Sequence, residues 1–265
     1  MNTFVAPFKL VVRYRVILGR TTWSELRSTY AGSILGMAWF FVGPIFLLTV
    51  YALIYAVVFR VRPLNMTVVE YVLYVFCGLV PFIAFATAMS QGALSLSANK
   101  QVLLNTVFPA ELVPLRSVLV ASASLPSGLL ILLIGDYLFS ELTLSFLLVP
   151  VVVVFQIMFL VGLSWLLSLL TLLVRDIQQI LTYITMLLLV VTPIAYTPDM
   201  IPPQLTVLMY GNPVFYYVTS YQSLILLNKL PPVGVIVAGA AMSLMMFWGG
   251  FHVWRRARQV FYDFA

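Results

Sequence analysis

Charge is scarce in this chain: 8% of its 265 residues are Asp, Glu, Lys or Arg, while 63% are hydrophobic. A soluble domain carries roughly 25% charged residues. With a mean hydropathy of +1.08, this composition therefore excludes one. The one cysteine, Cys77, lies inside an apolar run, which excludes a disulfide framework and a thiolate metal cluster. It reads as a small packed hydrophobe. The one histidine, His252, has no ligand companion and reads as a residue of the membrane interface, so no metal site is expected. Serines are plentiful but lack a His/Asp arrangement, so no catalytic nucleophile is expected. No Gly-x-x-x-x-Gly-Lys-Ser/Thr run occurs, so the chain has no loop of that kind to cradle ATP phosphates.

Long apolar runs are what the chain has. Six of them, Ile34–Phe59, Tyr71–Leu94, Leu112–Phe139, Phe146–Val174, Ile177–Ile194 and Gly234–Trp254, suit helices crossing about 30 Å of hydrocarbon, which takes roughly 20 residues. They are too long for barrel strands and do not alternate, so the expected fold is an all-α integral membrane protein with six transmembrane helices. With both termini cytoplasmic, the inside set is Lys9, Arg13, Arg15, Arg20, Arg27, Lys100, Arg116, Arg175, Arg255, Arg256 and Arg258. Only Arg60, Arg62 and Lys229 are left outside. The net charge of +6 thus reports topology and attraction to anionic headgroups rather than nucleic-acid binding. The charged first thirty or so residues do not read as a cleavable leader.

Acidic groups are placed at the ends of the spans. Glu70, Asp136, Glu141 and Asp199 fall near outer ends, and Glu25, Glu111, Asp176 and Asp263 near inner ones. A proton- or sodium-coupled carrier needs acids near the bilayer centre, so energy is expected to come from a partner ATPase.

Four segments stand out. Over residues 8–30, Lys9, Arg13, Arg20 and Arg27 fall within about 40° on a helical wheel, with Val11, Tyr14 and Leu18 roughly opposite; this predicts an interface helix with that apolar side in lipid. The first span carries aromatics along its whole depth, where anchoring needs them only at the ends, and Phe41, Tyr51, Tyr55 and Phe59 share one sector. They line a cavity or pack between helices. Residues 95–110, with Asn99, Lys100, the run Val102-Leu103-Leu104 and then Phe108-Pro109, predict short helices bearing an exposed apolar knob for docking a protein, or else a hairpin packed on its own chain. Residues 195–227 are too proline-rich for one helix and too apolar for a solvated loop. A pair of short re-entrant helices fits, with Pro203 and Pro213 in their first turns.

Tyr30-Ala-Gly-Ser-Ile-Leu-Gly36-Met-Ala-Trp39 with Pro44, then Gly78-Leu79-Val-Pro81-Phe82, Asn99 with Leu103-Leu104, Phe108-Pro109, Pro114, Arg175-Asp176, Pro193 and Asn212-Pro213 follow in an order that resembles the ABC-2 polysaccharide-export permeases, over residues 8 to 258. The resemblance implies a single transmembrane domain, 1–265, that forms a homodimer with two copies of an ATPase and moves a lipid-linked glycan across the bacterial inner membrane. ATP and magnesium would sit on that partner, with no cofactor in this chain. It also implies that 8–30 lie at the interface, 95–110 couple to the ATPase through Asn99, Lys100, Leu103, Leu104, Phe108 and Pro109, and 195–227 form periplasmic gate helices. Phe41, Tyr51, Tyr55, Tyr196 and Tyr216 would line the glycan path, since sugar C–H faces slide over aromatic rings. Arg13, Arg15 and Arg20 would hold the lipid pyrophosphate, or serve only topology and lipid contact. Where many relatives carry an acid and an arginine after the Asn-Pro pair, this chain has Thr219 and Gln222, so no charged gate contact is expected. The competing functions are export of teichoic acid, capsule, a drug or another small lipid, and a membrane enzyme acting on polyprenyl-linked substrates.

Overall fold

The computed structural model describes residues 5–54, 66–100, 103, 108–139, 144–174, 176–197, 200, 204 and 206–264, with side chains to 257. Among these residues every regular element is helical. The helices are α1 (Ala6–Thr29), α2 (Trp39–Leu53), α3 (Val68–Ala98), α4 (Leu112–Ala121), α5 (Ser124–Phe139), α6 (Val149–Leu173), α7 (Ile177–Val191), α8 (Thr206–Gly211), α9 (Pro213–Ile225) and α10 (Val233–Phe264).

The bundle is built around α3. Thr67 caps it: Glu70 N–H donates to Thr67 Oγ1 at 3.3 Å and Thr67 N–H to a Glu70 carboxylate oxygen at 2.7 Å, a reciprocal capping box. Of the most apolar window of α3, 83% is buried inside the protein, against 0% for the window containing α2. One hydrophobic cluster joins α3 to α4, α6, α9 and α10.

Between apolar helices in lipid, packing depends on close backbone approach at small residues. Gly162 of α6 faces Met246 of α10, and Gly250 faces back onto Gly162; a Cβ on either would overlap the other helix's backbone. A Cβ on Gly92 of α3 would overlap the Ser164 side chain of α6. The resulting α3–α6–α10 column encloses Trp165, whose ring lies 5.4 Å from Phe247 and 5.2 Å from Phe251.

The expected spans recur with changed limits. Among the described residues, five helical stretches are long and apolar enough to cross a membrane, and α7, at 15 residues, is shorter because Pro193 follows it. The third expected span is broken into α4 and α5. Pro126 in the first turn of α5 has no N–H to give the Ser122 carbonyl, which instead accepts from Leu125 N–H at 3.0 Å. The last helix runs past the apolar segment to Phe264.

α1 corrects the expectation for residues 8–30. Leu18 is buried, and Val11 and Tyr14 pack against the protein core rather than facing lipid. The exposed apolar side is a different one: Val12, Val16 and Trp23, roughly 100° or more round the wheel from Leu18 and beside the basic stripe. α1 therefore has three faces, a covered apolar one that lies on α4 and α10, an exposed apolar one and a basic one.

Candidate functional site

The basic ends of the helices meet in a chain of polar contacts. Asn99 ends α3, its amide donating to the Ser95 carbonyl at 2.8 Å, and its Oδ1 accepts from Arg116 Nη2 of α4 at 2.8 Å. Arg116 Nε lies 2.6 Å from a carboxylate oxygen of Glu25 on α1. α1, α3 and α4 are thus joined at one point, half sheltered from solvent. Trp165 Nε1 of α6 donates to the Glu111 carbonyl at 2.9 Å, which fixes the start of α4.

Of the residues expected to dock a partner, Asn99 is a helix cap and ion-pair extension, and Lys100, Phe108 and Pro109 are partly exposed. Leu103 corrects the apolar-knob expectation: it is 8% exposed and belongs to the core cluster, its N–H donating to the Asn99 carbonyl at 3.0 Å. It anchors the loop rather than projecting from it. Leu104 lies outside the described residues, as do Tyr55, Arg175 and Pro203.

At the opposite end, the turn after α7 is held from two helices. Tyr71 of α3 donates to the Ala195 carbonyl at 2.7 Å, and Gln222 of α9 donates to the carbonyls of Pro193 at 3.2 Å and Ile194 at 3.4 Å. Asn212 caps α9 by accepting from Val214 N–H at 2.9 Å, and its amide donates to Thr192 Oγ1 at 2.7 Å. Pro213 fills the first position of α9, where a missing N–H costs nothing. One face of α9, including Tyr217, Val218 and Tyr221, is inside the bundle. Deeper, Gln156 of α6 bridges Tyr221 and α3: it accepts from the Tyr221 hydroxyl at 2.9 Å and donates to the Pro81 carbonyl at 2.9 Å.

The aromatic candidates do not converge within one chain. Phe41 is exposed on α2, and Tyr51 is partly buried against the core. The Tyr196 hydroxyl donates to the Val190 and Val191 carbonyls, both at 2.9 Å, and so caps α7; partial burial pushes its phenol above the ordinary tyrosine value, keeping it a donor. Tyr216 donates to the Tyr210 carbonyl at 2.7 Å and faces an apolar groove between α6, α9 and α10. Arg13, Arg15 and Arg20 are exposed on α1, with Arg13 over the Tyr14 ring at 5.5 Å.

Sequence reasoning missed the roles of Arg116 and Glu25, placing the first only by topology and the second only as an inner-end acid. It also missed Asp136, which is 2% exposed within α5. A charged residue inside an apolar run, such as Arg116 between Leu115 and Val118, was the available signal.

This arrangement binds helices together and offers, among the described residues, no cluster of His, Cys, Asp or Glu that would hold a metal. Residues 18–226 match the ABC-2 type transporter family. The chain belongs to that family. It is 28% identical over 252 residues to an O-antigen export system permease protein RfbA of Myxococcus xanthus, covering 94% of this chain and 95% of the relative. Two proteins of the same name from Klebsiella pneumoniae are each 28% identical, over 202 residues (76% of each chain) and 208 residues (78% of each). The ABC-2 match begins inside α1 and ends just after α9, so it takes in both polar assemblies.

Proposed function

We propose that this ABC-2 chain is the transmembrane permease subunit of an ATP-driven exporter that moves a lipid-linked, O-antigen-like polysaccharide across the bacterial inner membrane. The observation that carries the reading is end-to-end similarity to O-antigen export permeases, over 94% of this chain and 95% of the relative, with no large segment of either left unaccounted for. Teichoic acid, capsule or small-lipid export keeps the same architecture with a different cargo.

In this reading α7 completes six crossings, both termini are cytoplasmic, and the basic ends of the helices face the cytoplasm. Two copies assemble, with α2 and α7 towards the partner copy, because these helices expose apolar side chains on most of their surface. Phe41, Tyr51 and Tyr55 then border a shared glycan path, with Tyr196 and Tyr216 at its outer end. α8 and α9 act as the outer gate. Arg13, Arg15 and Arg20 meet the lipid pyrophosphate at the membrane surface. Residues 95–110 dock the ATPase, which binds ATP and magnesium; Lys100, Phe108 and Pro109 supply contact while Leu103 holds the loop to the body.

Co-purification of this chain with the ATPase encoded beside it, with hydrolysis assayed with and without a lipid-linked glycan, tests the reading. A complex whose hydrolysis rises with the glycan supports it. Absence of any ATPase partner overturns it and favours the membrane-enzyme alternative.

A further inference from the structure

At the basic end a cavity of about 400 Å³ lies between the last turns of α1, Phe40 of α2, α3 and the α4–α5 junction. Ligand sites span roughly 300–1,000 Å³, so the space is of the right order for a small group. Its wall mixes polar and apolar side chains, and the charged one among them is Glu25. Thr87 and Gln91 come from α3, Ser117 from α4, and Ser124 opens α5. Among the described residues these four side chains form no hydrogen bonds within the protein, unlike Asn99 and Ser95 beside them. The one acid in the wall, Glu25, is already neutralised by Arg116.

That lining selects by chemistry. A phosphate finds no spare cation there, and an acyl chain would strand four polar groups without water. A neutral sugar ring offers hydroxyls that both donate and accept, matching Ser, Thr and Gln side chains, which do the same. It also has C–H faces, and the wall supplies an aromatic corner in Tyr30 and Phe40, whose rings lie 5.0 Å apart. The cavity's neutrality separates it from the exposed arginines of α1, which suit the lipid pyrophosphate.

We propose that this cavity is a subsite for an uncharged sugar residue of the transported glycan, hydrogen-bonded by Thr87, Gln91, Ser117 and Ser124 and packed against Tyr30 and Phe40. The proposal rests on the glycan-export reading, and the experiment separates the two.

Cys77 is fully buried, so a cysteine introduced in the cavity wall is the accessible thiol. Val120→Cys keeps every proposed contact, and Ala98→Cys, also in the wall, is the second variant should the first fail to assemble. Each is purified with its partner ATPase in nanodiscs and labelled with a polar maleimide. Two probes are compared: a polyprenyl pyrophosphate bearing a neutral hexose trisaccharide, and the same lipid without sugar. The expected result is labelling slowed about tenfold by the first probe and unchanged by the second, with protection lost on adding Thr87→Val and Gln91→Leu. Equal protection by both probes, or none from the sugar-bearing probe although it stimulates ATP hydrolysis, overturns the subsite and leaves the export reading standing. If the sugar-bearing probe neither protects nor stimulates hydrolysis, the export reading falls and the subsite with it.

Discussion

Arg116 Nε sits 2.6 Å from the Glu25 carboxylate while Nη2 of the same guanidinium reaches Asn99 Oδ1 at 2.8 Å. One side chain of α4 therefore holds the surface helix α1 and the end of α3 in a fixed relation. Arg116 is 16% exposed and Glu25 34%, so the pair is screened less than a surface pair but is far from dry. Arg116→Ala is expected to lower stability by about 1–3 kcal/mol, since it leaves two sheltered acceptors without their donor. A double-mutant cycle with Glu25→Gln, read from melting in detergent, should show coupling between the two positions. Additive effects would mean that the pair carries no energy of its own.

Gly250→Val is expected to prevent recovery of folded protein, because its side chain would overlap the Gly162 backbone. Gly249→Ala, whose Cβ meets nothing within 4 Å, should behave as wild type. Size-exclusion profiles of the two variants check this; a monodisperse Gly250→Val protein would show that α6 and α10 can separate at no cost.

Gln156→Leu strands the Tyr221 hydroxyl within the bundle and should cost about 1–3 kcal/mol. Adding Tyr221→Phe removes the stranded group, so the double variant is expected to be more stable than Gln156→Leu alone. Thermal melting of the three proteins measures the sign. A double variant less stable than Gln156→Leu would place the Tyr221 hydroxyl in another stabilising contact.

Asn212→Ala removes both the α9 cap and the bond to Thr192, an expected loss of about 1 kcal/mol for the cap with more for the buried pair. Asn212→Asp retains an acceptor for Val214 N–H but has no amide to donate, so its stability should fall between Asn212→Ala and wild type. Proteolysis between α7 and α9 is a direct readout, with Asn212→Ala cut fastest. Equal cutting of all three would remove the cap from the account.

Much of this fold could be read from the order of apolar runs and prolines. Pro193 stops α7, and Asn212-Pro213 starts α9. Thr67-x-x-Glu70 was an equally plain start signal, and it sets the beginning of α3 three residues before the apolar span estimated at Tyr71. Pro126 likewise marked the α4–α5 break. What could not be read was the choice between faces. Val11, Tyr14 and Leu18 are as apolar as Val12, Val16 and Trp23, and only the position of α4 decides which set the protein covers. Leu103 shows the same limit, because an apolar residue in a polar loop projects or inserts according to whether a pocket lies beneath it. Glu25 lies far along the chain from Asn99 and Arg116, and no spacing rule joins the three.

Between α1 and α2 the backbone turns left-handed at Gly32, with φ of 80°, and again at Gly36, with φ of 51°. Few other residues adopt these angles without strain. Nine residues, 30–38, join α1 to α2, and the two glycines specify the course of that short joint. Glu25, four residues before the end of α1, and Phe40, in the first turn of α2, line the same cavity from the two sides of this joint. At both glycines an added Cβ would meet open space, so what reserves these positions for glycine is backbone handedness alone, with no crowding by a neighbour.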